Sequence, residues 1–441
     1  MMLPLKYFWN IFSSVKLALF TLCALASTSI IGTIIPQGEP YNFYVQQFGA
    51  KAARFFDILD IADMYYSWWY LGLLAILSMN LIICSLDRLP RVIKIISRDN
   101  LAITPDRMAK MGLHKQWPIS HGQFKKIDIQ SLLKTMGWNL AVRPVDDNVI
   151  FFAQKNRWSR LGVYIVHLSI IIIFAGALIG HFWGFKGAVM IPELQSTAKI
   201  YAYDDSQPID LGFIVRCNSF VIEFYRNGMP REFRSNLTII EDNKEVLSTD
   251  IKVNDPLNHR GITFYQSNYE GYKSFILNVT DKQSGQRKQF MLPFQKQKSW
   301  AEKDIHFGII NAKTSGDHVV QVKIWFKLAD NPPFSHWLNN NQNLPVKIGD
   351  RDFIISAKQM YATGLQVTKD PGVWLVYIGC GFLLIGLFMA FFLSHKRIWL
   401  YAGKNSDKII LHLAGSSNKN KLDFTRDFQE LVSQLNKKLG H

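Results

Sequence analysis

Cysteine is scarce in this sequence. Four of 441 residues carry a thiol, Cys23, Cys84, Cys217 and Cys380, and no two are spaced as CxxC. That excludes a thioredoxin-like redox pair or a zinc site built on such a pair, and the missing CxxCH excludes a c-type haem attachment point on this chain. A disulfide framework is excluded across residues 184–371, which hold only Cys217. All four cysteines read as small apolar packing residues. Acidic residues are also few, 34 against 50 Lys and Arg, for a net charge of +16. Such a balance raises nucleic acid as a partner, but much of the basic excess flanks apolar runs, and no nucleic-acid partner is expected. No G-x-S-x-G, HExxH or P-loop occurs, which leaves no hydrolase, zincin or nucleotide signature.

Long apolar runs are what the sequence has in quantity. Four of them, residues 17–35, 68–86, 161–180 and 373–394, approach or exceed the ~18–20 residues a helix needs to cross a bilayer core. Lys6, Lys16 and "ALA" at 24–26 imitate a secretory signal. A cleavable apolar segment spans only ~7–15 residues, and this run continues to Ile35, so it reads as an uncleaved anchor. Residues 87–160 carry 14 Lys/Arg against 6 Asp/Glu, whereas 36–67 carry two basic and four acidic residues. The positive-inside rule then places both termini and the 87–160 block in the cytoplasm, with 36–67 and 184–371 outside.

The expected division is 1–36 (N-terminus and first span), 37–67 (external loop with an amphipathic interfacial helix), 68–86 (second span) and 87–160 (a small cytoplasmic α/β insertion). It continues with 161–183 (third span), 184–371 (a large external domain), 372–394 (fourth span) and 395–441 (a cytoplasmic tail). In the external domain, short β-branched and aromatic runs such as "FIVRCNSFVIEFY" (213–225) and "VVQVKIWF" (319–326) alternate with turn pieces such as "NDPLNHRG". That pattern predicts a mainly-β, sandwich-like domain. In the insertion, "QSLLKTMGW" (130–138) has helical spacing and "NVIFFAQK" (148–155) reads as a strand.

The third run, "LGVYIVHLSIIIIFAGALIG", contains His167. Ionisable groups in spans are costly and face a bundle interior or a polar cavity. Seven residues past Arg160, His167 lies roughly 10 Å into the span, in its inner half. Three roles stay open on the residues alone: an interhelical hydrogen bond, a proton relay, or an axial haem ligand. As a ligand, one ring nitrogen would bind iron while an acceptor orients the other. His181 lies 14 residues on, roughly 21 Å along the same helix, and cannot share a metal centre with His167. His395 reads as an interfacial anchor, and His259, His306, His318 and His336 lack metal-type spacing. "GALIG" (176–180) and "GCG" (379–381) read as faces for close helix approach.

Three stretches carry a family resemblance: "SVKLALFTLCALASTSIIGTIIPQ" (14–37), "IKVNDPLNHRGITFYQSNYEG" (251–271) and "DPGVWLVYIGCGFLLIGLFMAFFLSHKRIW" (370–399). On these the chain resembles, over nearly its whole length, the ResB/CcsB family of System II cytochrome c biogenesis proteins. The resemblance implies a complex with a CcsA/ResC-type membrane protein in the bacterial cytoplasmic membrane. That complex would carry haem b from the inner to the outer face and attach it to the CxxCH of apocytochrome c. It further implies that His167 matches the family's third-span histidine, one axial ligand to the haem iron, the other coming from the partner. Apocytochrome c and thiol-reducing proteins are the further partners it implies. The partner's "WWD" segment is missing, since "SWWYLG" (67–72) has no following aspartate. Trp68 and Trp69 therefore read as interface anchors, and the chain as the unfused subunit, with thioether ligation on its partner. Two rival readings remain: a four-span envelope sensor or scaffold, and a proton or ion transporter subunit using His167 as relay.

Overall fold

The structure is a computed structural model describing residues 3–126, 128–145, 148–203, 206–225, 229–315, 318–348, 350–405 and 408–440. The chain divides into two compact units, Met1–Leu178 with Gly372–His441, and Ile179–Pro371.

The four apolar runs are helices: Val15–Ile34, Trp68–Ser97, Arg157–Trp183 and Val373–Phe391, each long and apolar enough to cross a membrane. Ser14 and Ser67 start the first two as N-caps, their hydroxyls accepting from the backbone N–H of Lys16 and Tyr70. A short helix, Leu3–Phe12, precedes the first span. The break between the two leaves Phe12 O without a helical partner, and the buried Asn80 of the second span donates to it at 2.7 Å and to Ser14 O at 3.0 Å. A polar residue inside a span is thus satisfied by a neighbour's backbone.

Residues 37–67 form two short α-helices, Tyr41–Phe48 and Ala50–Ile58, and a 3-10 helix, Ile61–Tyr66, rather than one helix. The chain turns between the first two at Gly49, whose φ of +85° suits a residue without Cβ. Gln37 ties the ends of this segment together, donating to Ile35 O and Ile61 O and accepting from Met64 N–H. Trp69 is no free anchor: its indole N–H donates to Leu59 O at 2.8 Å, while Trp68 is exposed.

The third and fourth spans meet along small residues spaced by seven. A Cβ on Gly162 would lie 2.7 Å from Ala390 N and 2.9 Å from Gly386 O, and one on Gly176 would lie 2.9 Å from Gly372 O. Between them, Gly379 sits against the Ser169 carbonyl, and Ser169 folds its hydroxyl back onto Val166 O. Heptad spacing keeps one helix edge facing its partner, and missing side chains let the backbones touch. Of the two motifs expected to do this, only Gly176 and Gly379 take part. Gly381 meets nothing within 4 Å.

The second span runs on beyond residue 86, through Pro90 to Ser97, and leads into an α/β domain. Its antiparallel sheet takes strands in the order Leu113–Ile119, Lys408–Ser417, Lys396–Asn405, Asn148–Lys155, Asn139–Val145. The 87–160 insertion and the 395–441 tail therefore build one domain, with two tail strands lying between strands of the insertion. Helices Ile129–Thr135 and Lys421–Leu439 cover one face over Trp117, Phe151, Leu400, Leu411, Phe428 and Leu435. Lys396 locks the C-terminal helix on, its ammonium 2.6 Å from both Asp423 and Asp427.

The second unit is mainly β, with one ten-stranded and one four-stranded sheet, both antiparallel. Two long neighbouring strands, Ile262–Asp281 and Arg351–Lys369, run through two separate cores. Around one core the large sheet curls on itself over Val215, Leu237, Phe264 and Val367. In the other, the four-stranded sheet closes over Leu277, Phe307, Phe326 and Phe353. Between the cores the register slips, by one residue at Gln266/Asn268 and by two at Gly271/Phe275. An odd number of inserted residues flips the strand's faces. Hence 262 and 264 point into one core, and 275, 277 and 279 into the other.

At this waist Glu193 is completely buried. It accepts from the backbone N–H of Phe220 at 2.8 Å and of Tyr361 at 3.1 Å, and pairs with the Lys358 ammonium.

Candidate functional site

His167 sits five residues after Gly162 and two before Ser169. At 3.6 residues per turn that turns it roughly 140–160° away from the glycine seam. The seam fixes the rotation of the third span, so the imidazole faces the second. It shares that side with Ile170, Ile171 and Phe174, which pack on Leu77 and Leu81 of the second span and Leu25 of the first. One turn beyond Leu81 is Ser85, whose Oγ lies 2.9 Å from His167 Nδ1. Tyr164 presents its ring edge-on at 6.3 Å.

The ring is half-buried. Among the described residues its Nε2 makes no hydrogen bond, and the atom is not enclosed. A serine hydroxyl can accept from Nδ1–H, which leaves the Nε2 lone pair free and directed outward. This donor set suits a metal that takes one neutral imidazole from this chain and completes its shell elsewhere. Among the described residues no group of three or more His, Cys, Asp or Glu could hold a metal ion alone.

The sequence singled out His167 without identifying Ser85, 82 positions away. That pairing is set by helix register. Arg88, on the same side one turn past Ser85, carries an exposed cation without a carboxylate partner among the described residues.

His395 corrects the expectation of an interfacial anchor. It is fully buried, its Nδ1 accepting from Arg160 Nε at 2.8 Å and its Nε2 3.0 Å from Gln154 Oε1. With both nitrogens engaged it has no lone pair for a metal. Burial, with the Arg160 and Arg397 charges beside it, pushes its pKa down to about 4. The imidazole is therefore neutral when folded, whereas the unfolded chain protonates near pH 6.5. The unfolded state binds the extra proton between these values, so stability falls as pH drops from about 6.5 towards 4. Thermal unfolding of the full chain in detergent should show that slope, and His395→Gln should flatten it while lowering stability at neutral pH.

The other histidines stand apart. His181 lies beside Phe182 near the end of the third span, with ring centroids 5.1 Å apart. His259 bonds Glu241 at 2.7 Å, and His306 lies 3.7 Å from Asp304. All four cysteines are free. Cys217 is a core residue whose thiol is pushed up to about 12, chiefly by burial, which leaves it protonated and unreactive.

A model of the ResB-like family matches residues 15–352 and 338–429. The cytochrome c biogenesis protein CcsB of Gloeobacter violaceus is 27% identical, with the alignment covering 96% of this chain and 90% of that protein. CcsB of Crocosphaera subtropica is 26% identical across 97% of this chain and 94% of the relative, and CcsB of Microcystis aeruginosa 26% across 98% and 95%. The match runs through the spans, the β unit and the α/β domain alike, and the chain belongs to the ResB-like family.

Proposed function

We propose that this chain is the unfused haem-handling subunit of a membrane complex for cytochrome c biogenesis, with His167 as one axial ligand to haem b in transit. The observation that carries this reading is the posture of the imidazole, held by Ser85 at Nδ1 and open at Nε2. Ser85, as acceptor, selects the tautomer and fixes the ring plane, which commonly changes metal affinity by ~10–100-fold. The apolar faces of the first three spans keep water from the ring's protein side. Haem is cargo here and supplies the iron and the vinyl groups that thiols of apocytochrome c would attack. One imidazole is half of an axial pair, so the second ligand comes from a CcsA/ResC-type partner, on which ligation takes place. The shared name of the relatives supports this pathway. The basic flanks support a bacterial cytoplasmic-membrane orientation with both termini and the α/β domain inside. The β unit then lies outside, where apocytochrome c and its thiol reductants work.

The test is co-expression with the CcsA/ResC-type partner, purification in detergent and a visible spectrum. His167→Ala should lose or shift the Soret band, and added imidazole should restore it. Ser85→Ala should lower haem occupancy by ~10-fold or more. An unchanged spectrum and haem content in His167→Ala, with c-type cytochromes still maturing, overturns the reading.

A further inference from the structure

The helix that carries Ser85 continues past the apolar span as a basic stripe. Arg91 and Lys94 lie one turn apart on the helix and Arg98 is its C-cap, and all three line the side that turns towards the α/β domain. There they line a cleft of about 550 Å³ together with Arg397 and Phe152, within the size range of small-molecule sites. Arg91 is paired with Asp87 at 2.9 Å. Lys94, Arg98 and Arg397 have no carboxylate partner among the described residues, although Asp99 also lines the cleft. Arg397 lies over the Trp399 ring at 5.3 Å, and its Nε is buried with no hydrogen-bond partner. Arg91, Lys94 and Arg98 are exposed at the mouth of the cleft and Arg397 is half-buried behind them, so unpaired cations converge there beside one acid and attract an anion.

The walls narrow the choice of anion. Ile95 and Ala102 are exposed and give the cleft an apolar side next to its basic one, with Phe152 buried behind it, so it suits an amphiphile with acid groups at one end and an apolar body. Arg91 is six residues from Ser85, roughly 9 Å along one helix. Resting on the reading of this chain as haem-handling, we propose that the cleft is a docking site for haem. The two propionates would engage Lys94, Arg98 and Arg397, and the ring edge would lie on Ile95, before the iron reaches His167. Arg–carboxylate contacts of this kind are directional and charge-assisted.

The probe is metal-free protoporphyrin IX, which carries both carboxylates and no iron and is therefore blind to His167 as a ligand. It is titrated by fluorescence against the full chain in detergent, with empty micelles as baseline. Wild type and His167→Ala should bind it equally. Arg98→Gln with Arg397→Gln should weaken binding at least roughly tenfold, and so should the dimethyl ester of the porphyrin, since each removes charge-assisted contacts. Lys94→Gln, an exposed single substitution in the middle of the stripe, gives a milder variant in case the double variant misfolds, and should weaken binding about threefold. Equal binding by the arginine variant, or equal binding of the ester, overturns the proposal. Displacement of the porphyrin by phosphatidylglycerol at matched concentration also overturns it, in favour of a phospholipid headgroup site. If the haem spectrum depends on His167 but porphyrin binding ignores the arginines, docking falls and the ligand role stands. If the arginines matter and the spectrum ignores His167, the ligand role falls instead.

Discussion

Replacing Lys358 with methionine is expected to cost the β unit about 3–5 kcal/mol, the usual result of removing one partner from a buried ion pair. The asymmetry lies in exposure. The Lys358 side chain is 19% exposed and can reach water, whereas the Glu193 side chain is 0% exposed and cannot. Without the ammonium, the carboxylate keeps its two backbone donors, Phe220 and Tyr361, but nothing balances its charge. Glu193→Gln is a milder lesion of about 1–3 kcal/mol, because the amide oxygen still accepts from one of those N–H groups, which bond different carboxylate oxygens. The double variant should recover most of the loss seen in Lys358→Met, since no buried charge remains. The readout is thermal loss of the β-sheet circular dichroism band for the full chain in detergent. A Lys358→Met variant as stable as wild type would show that the pair contributes nothing at the waist.

Gly386→Leu should separate the third and fourth spans. Its Cβ would stand 2.9 Å from Val166 N and 3.0 Å from Gly162 O. Both are backbone atoms that no rotamer change can move. Overpacking of this kind costs about 1–3 kcal/mol when neighbours can shift, and here the relief available is translation of a whole helix. Gly381→Leu on the same span is the matched control, because a Cβ there meets nothing within 4 Å. The expected result is a lower unfolding temperature for the first variant and no change for the second. In the co-purified complex, Gly386→Leu should also reduce His167-dependent haem, because the seam sets the rotation that brings His167 to Ser85. Equal behaviour of the two variants would remove the seam from the argument.

The spans were legible because hydrophobic length needs no partner to be recognised, and His167 because one ionisable residue interrupts such a run. What escaped were pairings between distant segments. Ser85 is an ordinary small residue until the helices are in register. His395 looked like an anchor because it follows an apolar run, but Gln154 and Arg160 enclose it from the other side of the chain. The glycine seam was half visible. The eye is drawn to small residues four apart, whereas an antiparallel contact over this length repeats every seven. The α/β domain was divided in two because its strands at 396–417 pair with strands far upstream. The stretches that carried the family resemblance turn out to be rich in structural devices. Gln37 closes a loop, Gly372, Gly379 and Gly386 form the seam, and the buried Gln266 bonds Ser235 and Thr363.

The interleaved sheet also imposes a timetable on synthesis. Lys155 pairs with Lys396, so the inner edge of the upstream hairpin waits while the intervening chain is translated. At roughly 5–20 residues per second, that gap of about 240 residues takes on the order of 12–48 s. Throughout that interval a hairpin bearing Phe151 and Phe152 stands with an open edge beside the membrane, where unpaired edges attract wrong partners. A ribosome stalled before Asn405 would leave it permanently unzipped, a ready target for quality-control proteolysis.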